Sequence, residues 1–411
     1  MPARKQQLSL TRHHATRDCS PPRLLYGSRL NMRNSAQTYY RDCGIIRITN
    51  CGLRRSQFSI FASLREALFC YLGNNKGEKK MPTFSGRKVA VGIGLEDPND
   101  KGKAVAPTYG APHLDISFKD SPTSKMNESA LGTIIKNNGK TDVLVEGDGS
   151  ISTKLWVKGL YYWLALAFGQ KPTTTGVQGD TNAKEHLFTL RDDNNHISAT
   201  MTIKEPNLSA QFAYAMADSV TFTWTPDDFP KVEVAFKSHK SKEISGGNVT
   251  YTIDDTEFLP KHAMFNIADD LAGLDAAPEA KDIKSLTLTI TKNLQPQQTM
   301  DSKDTYGEIL NGEFEVSISI EKLYRDKTYR AMSYNDERKA LRLSFIDDKN
   351  KAGTKTNTSL TFDIAVAAFS GYEPSYGVSD IATEKIDAVM LLNTADFGKS
   401  ITAKLVNKYT Y

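Results

Sequence analysis

Residues 81–411 read as a mainly β protein, an antiparallel sandwich or barrel with one or two packed helices. Three observations carry that expectation. Short runs of alternating apolar and polar residues recur along the chain, separated by turn formers. Within a run the apolar side chains fall on one face, as sheets with a buried and a wet side require. One segment alone is apolar all round over a helical length.

The runs fall at 88–95, 113–118, 142–146, 150–157, 197–204, 219–224, 231–238, 248–253, 285–291, 313–321, 340–346, 359–367, 385–393 and 400–406. In 285–290 Leu286, Leu288 and Ile290 alternate with Ser and Thr, and Phe314, Val316, Ile318 and Ile320 alternate with Glu315, Ser317 and Ser319. Val232, Val234 and Phe236 repeat the scheme against Lys231, Glu233 and Lys237. Many half-buried antiparallel strands argue for a sandwich or barrel.

The exception is 158–169, KGLYYWLALAFG, which ends on Gly169, a helix stop. A helix apolar on every side needs burial on every side, here over a sheet; a membrane or partner-binding helix is the functional alternative. Its apolar run, 160–168, is about half the roughly 20 residues that span a bilayer. A second, weaker and strongly charged helix is expected from Glu321 to Lys339. Each helix follows a strand entered from a Gly-containing turn, Gly147–Ser150 in one case and Asn311-Gly312 in the other. Strand then helix, twice, points to two β-subdomains with a junction near 240–280.

Charge divides the chain at Met81. Residues 1–80 hold 11 Arg and 4 Lys against 4 acids, net +11, and all four cysteines, Cys19, Cys43, Cys51 and Cys70. Residues 81–411 hold 6 Arg and 31 Lys against 44 acids, net −7, which together give the formal +4. The leader shows little sustained periodicity. An Arg-rich, acid-poor leader suits a transit peptide, and Arg54-Arg55 suits nucleic acid. The cysteines lack the paired spacing of a zinc site. Another reading fits better: Lys76-Gly77-Glu78-Lys79-Lys80 must be encoded AAR-GGN-GAR-AAR-AAR ahead of the Met81 codon. That is the form of a bacterial ribosome-binding site, so translation is expected to start at Met81 with residues 1–80 as upstream sequence. On that reading no signal peptide precedes the body, and a cysteine-free body suits cytoplasmic folding.

Motifs for chemistry are missing from the body. It has no GxxxxGK[ST], GxGxxG, HExxH or GxSxG. The acidic clusters 191–196, 97–100 and 347–350 read as solvated turns. His113, His186, His196, His239 and His262 show no ligand spacing. The expectation is therefore no catalytic, cofactor-binding or metal site, and no enzyme.

Three stretches carry a resemblance. Gly86-Arg87-Lys88-Val89-Ala90, leading to the loop through Ala106-Pro107, resembles the opening of tail tube (major tail) proteins of long-tailed bacteriophages. Residues 207–224, NLSAQFAYAMADSVTFTW, resemble their passage from tip loop through small residues to a core strand. Residues 386–390 and 401–407 resemble their last two strands. The likeness covers 81–411. It implies a β-fold of tail-tube type and a non-enzymatic structural virion protein, without cofactors. Its subunits would join inner strands into one barrel, and the rings would stack into a conduit for DNA ejection. The implied partners are further copies of itself, the terminator, tape measure and baseplate proteins, and DNA passing unbound; no membrane is involved. Assembly would occur in the host cytoplasm and the product reside in the virion tail. A surface β-sandwich adhesin and a β-rich carbohydrate-active enzyme are the competing readings; the latter needs paired carboxylates in a cleft.

Two physical expectations complete the reading. A channel for DNA should be acidic or neutral, because basic side chains would bind phosphates, so lysines belong on the outer wall or in pairs between subunits. The polar stretches 97–112 and 170–185 exceed simple hairpin turns, and are expected to be mobile loops that order when rings stack.

Overall fold

The computed structural model describes residues 83–411; the expectations for the leader and for Met81 lie outside the described residues. After a short 3-10 turn at Gly86–Lys88 come β1 (Ala90–Leu95), β2 (Tyr109–Gly110), β3 (Asp115–Asn127), β4 (Gly139–Lys154) and helix α1 (Leu160–Phe168). Next follow β5 (Thr173–Val177), β6 (Asp180–Thr189), β7 (Ala199–Lys204), β8 (Ser209–Trp224), β9 (Lys231–His239) and β10 (Lys242–Glu243). The remainder holds β11 (Ala263–Ala268), β12 (Ile283–Thr291), β13 (Gln295–Gln297), β14 (Glu308–Leu310), β15 (Glu315–Leu323) and helix α2 (Thr328–Tyr334). It closes with β16 (Arg338–Lys351), β17 (Asn357–Ser375), β18 (Thr383–Met390) and β19 (Ile401–Asn407).

The fold is mainly β and antiparallel, as the alternation predicts. Its organising devices are two long strands that change partners midway. The first part of β8 pairs with β7 and the second with β9 and β12, with a bulge between Ala217 and Ser219. The first part of β17 pairs with β16 and β19 and the last with β18, with a bulge between Phe369 and Gly371. A bulge adds one residue to one strand, bending it and raising its twist, which lets a continuous strand serve two layers.

The order of pairings recurs. In the first half β1 pairs with β7, β7 with β8, β8 with β9, β9 with β4 and β4 with β3. In the second half β11 pairs with β16, β16 with β17, β17 with β18, β18 with β15 and β15 with β12. Helix α1 packs on β8 and α2 on β17. Two junctions link the halves: β12 pairs with β8, and β19 pairs with β6.

A continuous apolar core takes in strands of both halves and α1. All nine residues of α1 are buried, including Leu160, Leu164 and Phe168 at 0% exposure, so the helix is a core element. Gly169 ends it at φ +78°, a left-handed conformation that glycine adopts without strain. Among the described residues no helix is long and apolar enough to cross a membrane.

Several sequence expectations are corrected. Gly147–Ser150 is no turn: 142–146 and the start of the 150–157 run belong to the single strand β4, which ends at Lys154. Its glycines serve packing, since a Cβ on Gly149 would run into the Phe118 ring and one on Gly147 into Ser238. The charged helix is confined to Thr328–Tyr334, because Glu321, Lys322 and Leu323 continue the β15 alternation against β18. The run 248–253 forms no strand; it follows Gly246 and Gly247, both at positive φ.

The stretch 170–185 is no loop either. Thr173–Val177 and the strand from Asp180 form a hairpin turning at Gly179, φ +81°. Threonine favours extended backbone, and the turn is short. The stretch 97–112 is irregular except for the short strand β2, which pairs with β1, and it is tied down: Gly102 N and the hydroxyls of Ser198 and Thr200 donate to the buried Glu96 carboxylate, Val105 N donates to Thr200 Oγ1, and Ala111 N to Val91 O.

Candidate functional site

One feature has the form of a working surface. Strands β3, β4, β9, the second part of β8, β12, β15, β18 and the last part of β17 pair in that order, giving eight strands side by side. Period-two alternation sends one set of side chains into the core, among them Ile151, Val234, Val220, Ile290, Ile318 and Ile386, all at most 3% exposed. The other set forms a face of small hydroxyls and charges whose members align across strands. One row runs Asp115, Ser152, Glu233, Thr221, Thr289, Ser317 and Val389; the next runs Lys154, Lys231, Thr223, Thr287, Ser319, Asp387 and Gly371.

Charges on this face nearly balance. The aligned positions hold Lys119, Lys154, Lys231, Lys237 and Lys385 against Asp115, Glu146, Asp148, Glu233, Glu315, Glu321, Glu373 and Asp387, five against eight. A sixth lysine, Lys284, sits at the β12 bulge 3.2 Å from Glu321. Ser319 Oγ donates to Asp387 Oδ1 at 2.6 Å, and Lys385 reaches the other oxygen at 3.2 Å. Lysines therefore lie on this face, but next to carboxylates.

Both ends of the eight-strand row are open. Among the described residues β3 pairs with β4 alone, and residues 369–375 of β17 pair with β18 alone. The β3–β4 hairpin ends in the tip 128–138, where Leu131, Ile134 and Ile135 are 71%, 105% and 72% exposed. The sequence reading missed this tip, because its apolar residues lack the alternation by which strands were found. Exposed strand edges and apolar tips are costly in a lone subunit and invite partners.

Elsewhere, polar clusters act as clamps. Asp193 holds Arg191 at 2.6 Å and accepts Asn195 N, while His196 Nε2 donates to the Arg191 carbonyl. Burial, with Lys292 adding repulsion, pushes the His196 pKa down to about 3, so this ring is neutral at pH 7. Asp97 accepts Asn99 N, and Asp100 pairs with Lys103. Asp347 accepts Lys349 N, Asn350 N and Asn350 Nδ2, with His262 Nε2 3.6 Å away and Asp348 close by. His262 Nδ1 accepts Leu259 N, so the neutral ring carries its proton on Nε2 and offers Asp347 a donor, leaving no lone pair there for a cation. The first two clusters are turns, as their spacing predicts, whereas Asp347–Asn350 is no solvated turn: it lies in the irregular end of β16, with Asp347 buried. His186 joins Thr174 and Asn407, and His239 packs edge-on against Tyr214, inside the fold.

Sequence reasoning passed over four buried charges. Asp180 accepts the backbone N–H groups of Thr354, Lys355 and Thr356, which hold its carboxyl well below the usual range. Lys292, 1% exposed, donates to Leu166 O in the last turn of α1, and burial lowers its pKa to about 7. Lys322 lies 3.6 Å from Glu384, both buried. Each sits among ordinary polar neighbours in the sequence, a pattern that does not reveal its distant partner.

A family described as phage tail tube protein matches residues 86–397, more than half of the chain. No curated protein matches it.

Proposed function

We propose, for a chain that belongs to the phage tail tube protein family, that its subunits polymerise into rings whose stacking makes the hollow tail tube. Membership makes it a structural component of the virion tail. The observation that carries the finer reading is the eight-strand sheet with one apolar face, one polar face and two unpaired edges. The polar face would line the lumen. Short Ser and Thr side chains hold it smooth and wet, and its near balance of charge gives a sliding polyanion no basic track on which to release counterions. Lysines paired with carboxylates satisfy the same requirement.

We also propose that the subunit is a duplicated β-domain, with its junction in 240–280. The recurring order of pairings and the equivalent seats of the two helices support this. The exposed 128–138 tip is the segment best suited to reach an adjacent ring, taking the role expected of 97–112 and 170–185. Neither the terminator, tape measure and baseplate contacts nor the passage of DNA requires a catalytic group. Negative-stain microscopy of the purified protein tests the proposal: rings or hollow tubes are expected, and a protein that stays monomeric at every concentration and salt would refute it.

A further inference from the structure

We infer that the junction between β8 and β12 inside one chain is a copy of the junction between chains, so that the last part of β17 pairs with β3 of a second copy in a fixed register. This rests on the ring reading above and adds its edges and alignment.

The recurring pairings fix which residues of the two halves correspond. The bulges of β8 and β17, at Asp218 and Ser370, fall at the same place relative to β9 and β18. Aligning them makes Ser219 equivalent to Gly371. Following registers outward, Ser219 lines up with Ala235, Ser150 and Ser117, whereas Gly371 lines up with Asp387, Ser319 and Thr287. Ser117 on β3 is therefore the counterpart of Thr287 on β12. Within the chain Thr287 faces Thr223 and Thr289 faces Thr221. Transferred to the open edges, Ser117 faces Ser375 of the second copy and Lys119 faces its Glu373.

Charge complementarity supports this register independently. Glu321, Lys385 and Glu373 are aligned neighbours at one edge, and Lys119, Asp148 and Lys237 at the other. Joined as proposed, six strands across two copies carry acid, base, acid, base, acid, base. A slip of two residues sets Lys119 against Gly371 or Ser375 and breaks the alternation, and a slip of one turns every side chain to the wrong face. On the core side Ile116 meets Tyr376, which is 62% exposed in the lone subunit. Pro374, lacking an N–H, removes at most one ladder bond.

The test uses the full chain with Cys19, Cys43, Cys51 and Cys70 changed to Ser. Adding Ser117→Cys and Ser375→Cys, both at exposed positions, should give disulfide-linked dimers and larger species on non-reducing gels, while each single change gives none. In parallel, Lys119→Glu should raise the concentration for half-assembly about fivefold or more, and adding Glu373→Lys should restore it. Rings that form without the cross-link, and without rescue by the charge swap, would overturn this pairing and leave the tube reading standing. A protein that forms no ring in any version would overturn both.

Discussion

Gly169 and His196 show how much rests on single residues. The glycine stops α1 in a left-handed conformation, and its missing Cβ leaves the space that the His196 ring fills. Gly169→Ala should cost roughly 2 kcal/mol or more, since the strained backbone and the clash add, and urea unfolding would measure it. His196 itself makes the fold sensitive to acid. Its pKa is about 3 folded against an ordinary value near 6.5, so the unfolded chain binds the extra proton as pH falls. The stability it contributes is fully present above about pH 6.5 and is lost towards pH 3, by at most ~1.4 kcal/mol per pH unit. Burial lowers the pKa values of His186, His239 and His262 as well, so their contributions have the same sign. Melting temperature should decline from pH 6.5 downwards, and less steeply in His196→Gln.

Among the elements, α1 was legible because nine apolar residues at helical length have few other places to go. Leu164 has no exposed surface, so Leu164→Asp should bury an unpaired carboxylate and cost roughly 3 kcal/mol or more, measurable by thermal unfolding. The β5–β6 hairpin was not legible. Its first strand is exposed along most of its length, so no alternation marks it, and its partners lie across the chain in β19. Deleting 173–182 removes β5, the start of β6 and the Asp180 carboxylate that anchors Thr354–Thr356. The deletion should lower the melting temperature and expose β19 amides to hydrogen exchange. Unchanged protection there would show the hairpin to be dispensable.

At the scale of the whole molecule, what matters is which face each strand turns to the core and what its opposite face then presents. If the Ser/Thr rows line a channel, adding positive charge to them should make DNA stick. Thr221→Lys with Thr289→Lys sets two cations side by side on adjacent strands. Tubes of this variant should bind duplex DNA with an affinity that falls steeply with salt, while unmodified tubes bind weakly. Filter binding across a salt series reads the difference, and equal binding by both would place this face outside the channel.

The sequence by itself determined the β class, the one-sided burial of each strand and the core helix, because periodicity is local and the hydrophobic effect acts on it residue by residue. Only the tertiary structure decided how the strands join. Gly147 and Gly149 look like a turn until Phe118 and Ser238 are seen to occupy their space, and Asp218 and Ser370 look ordinary until partner strands reveal matching bulges. The open edges of β3 and β17 are likewise invisible locally, since an edge is defined by the neighbour that is missing. Pairing depends on residues far apart in the chain, and a side chain's own neighbours carry no record of which distant strand will satisfy its backbone.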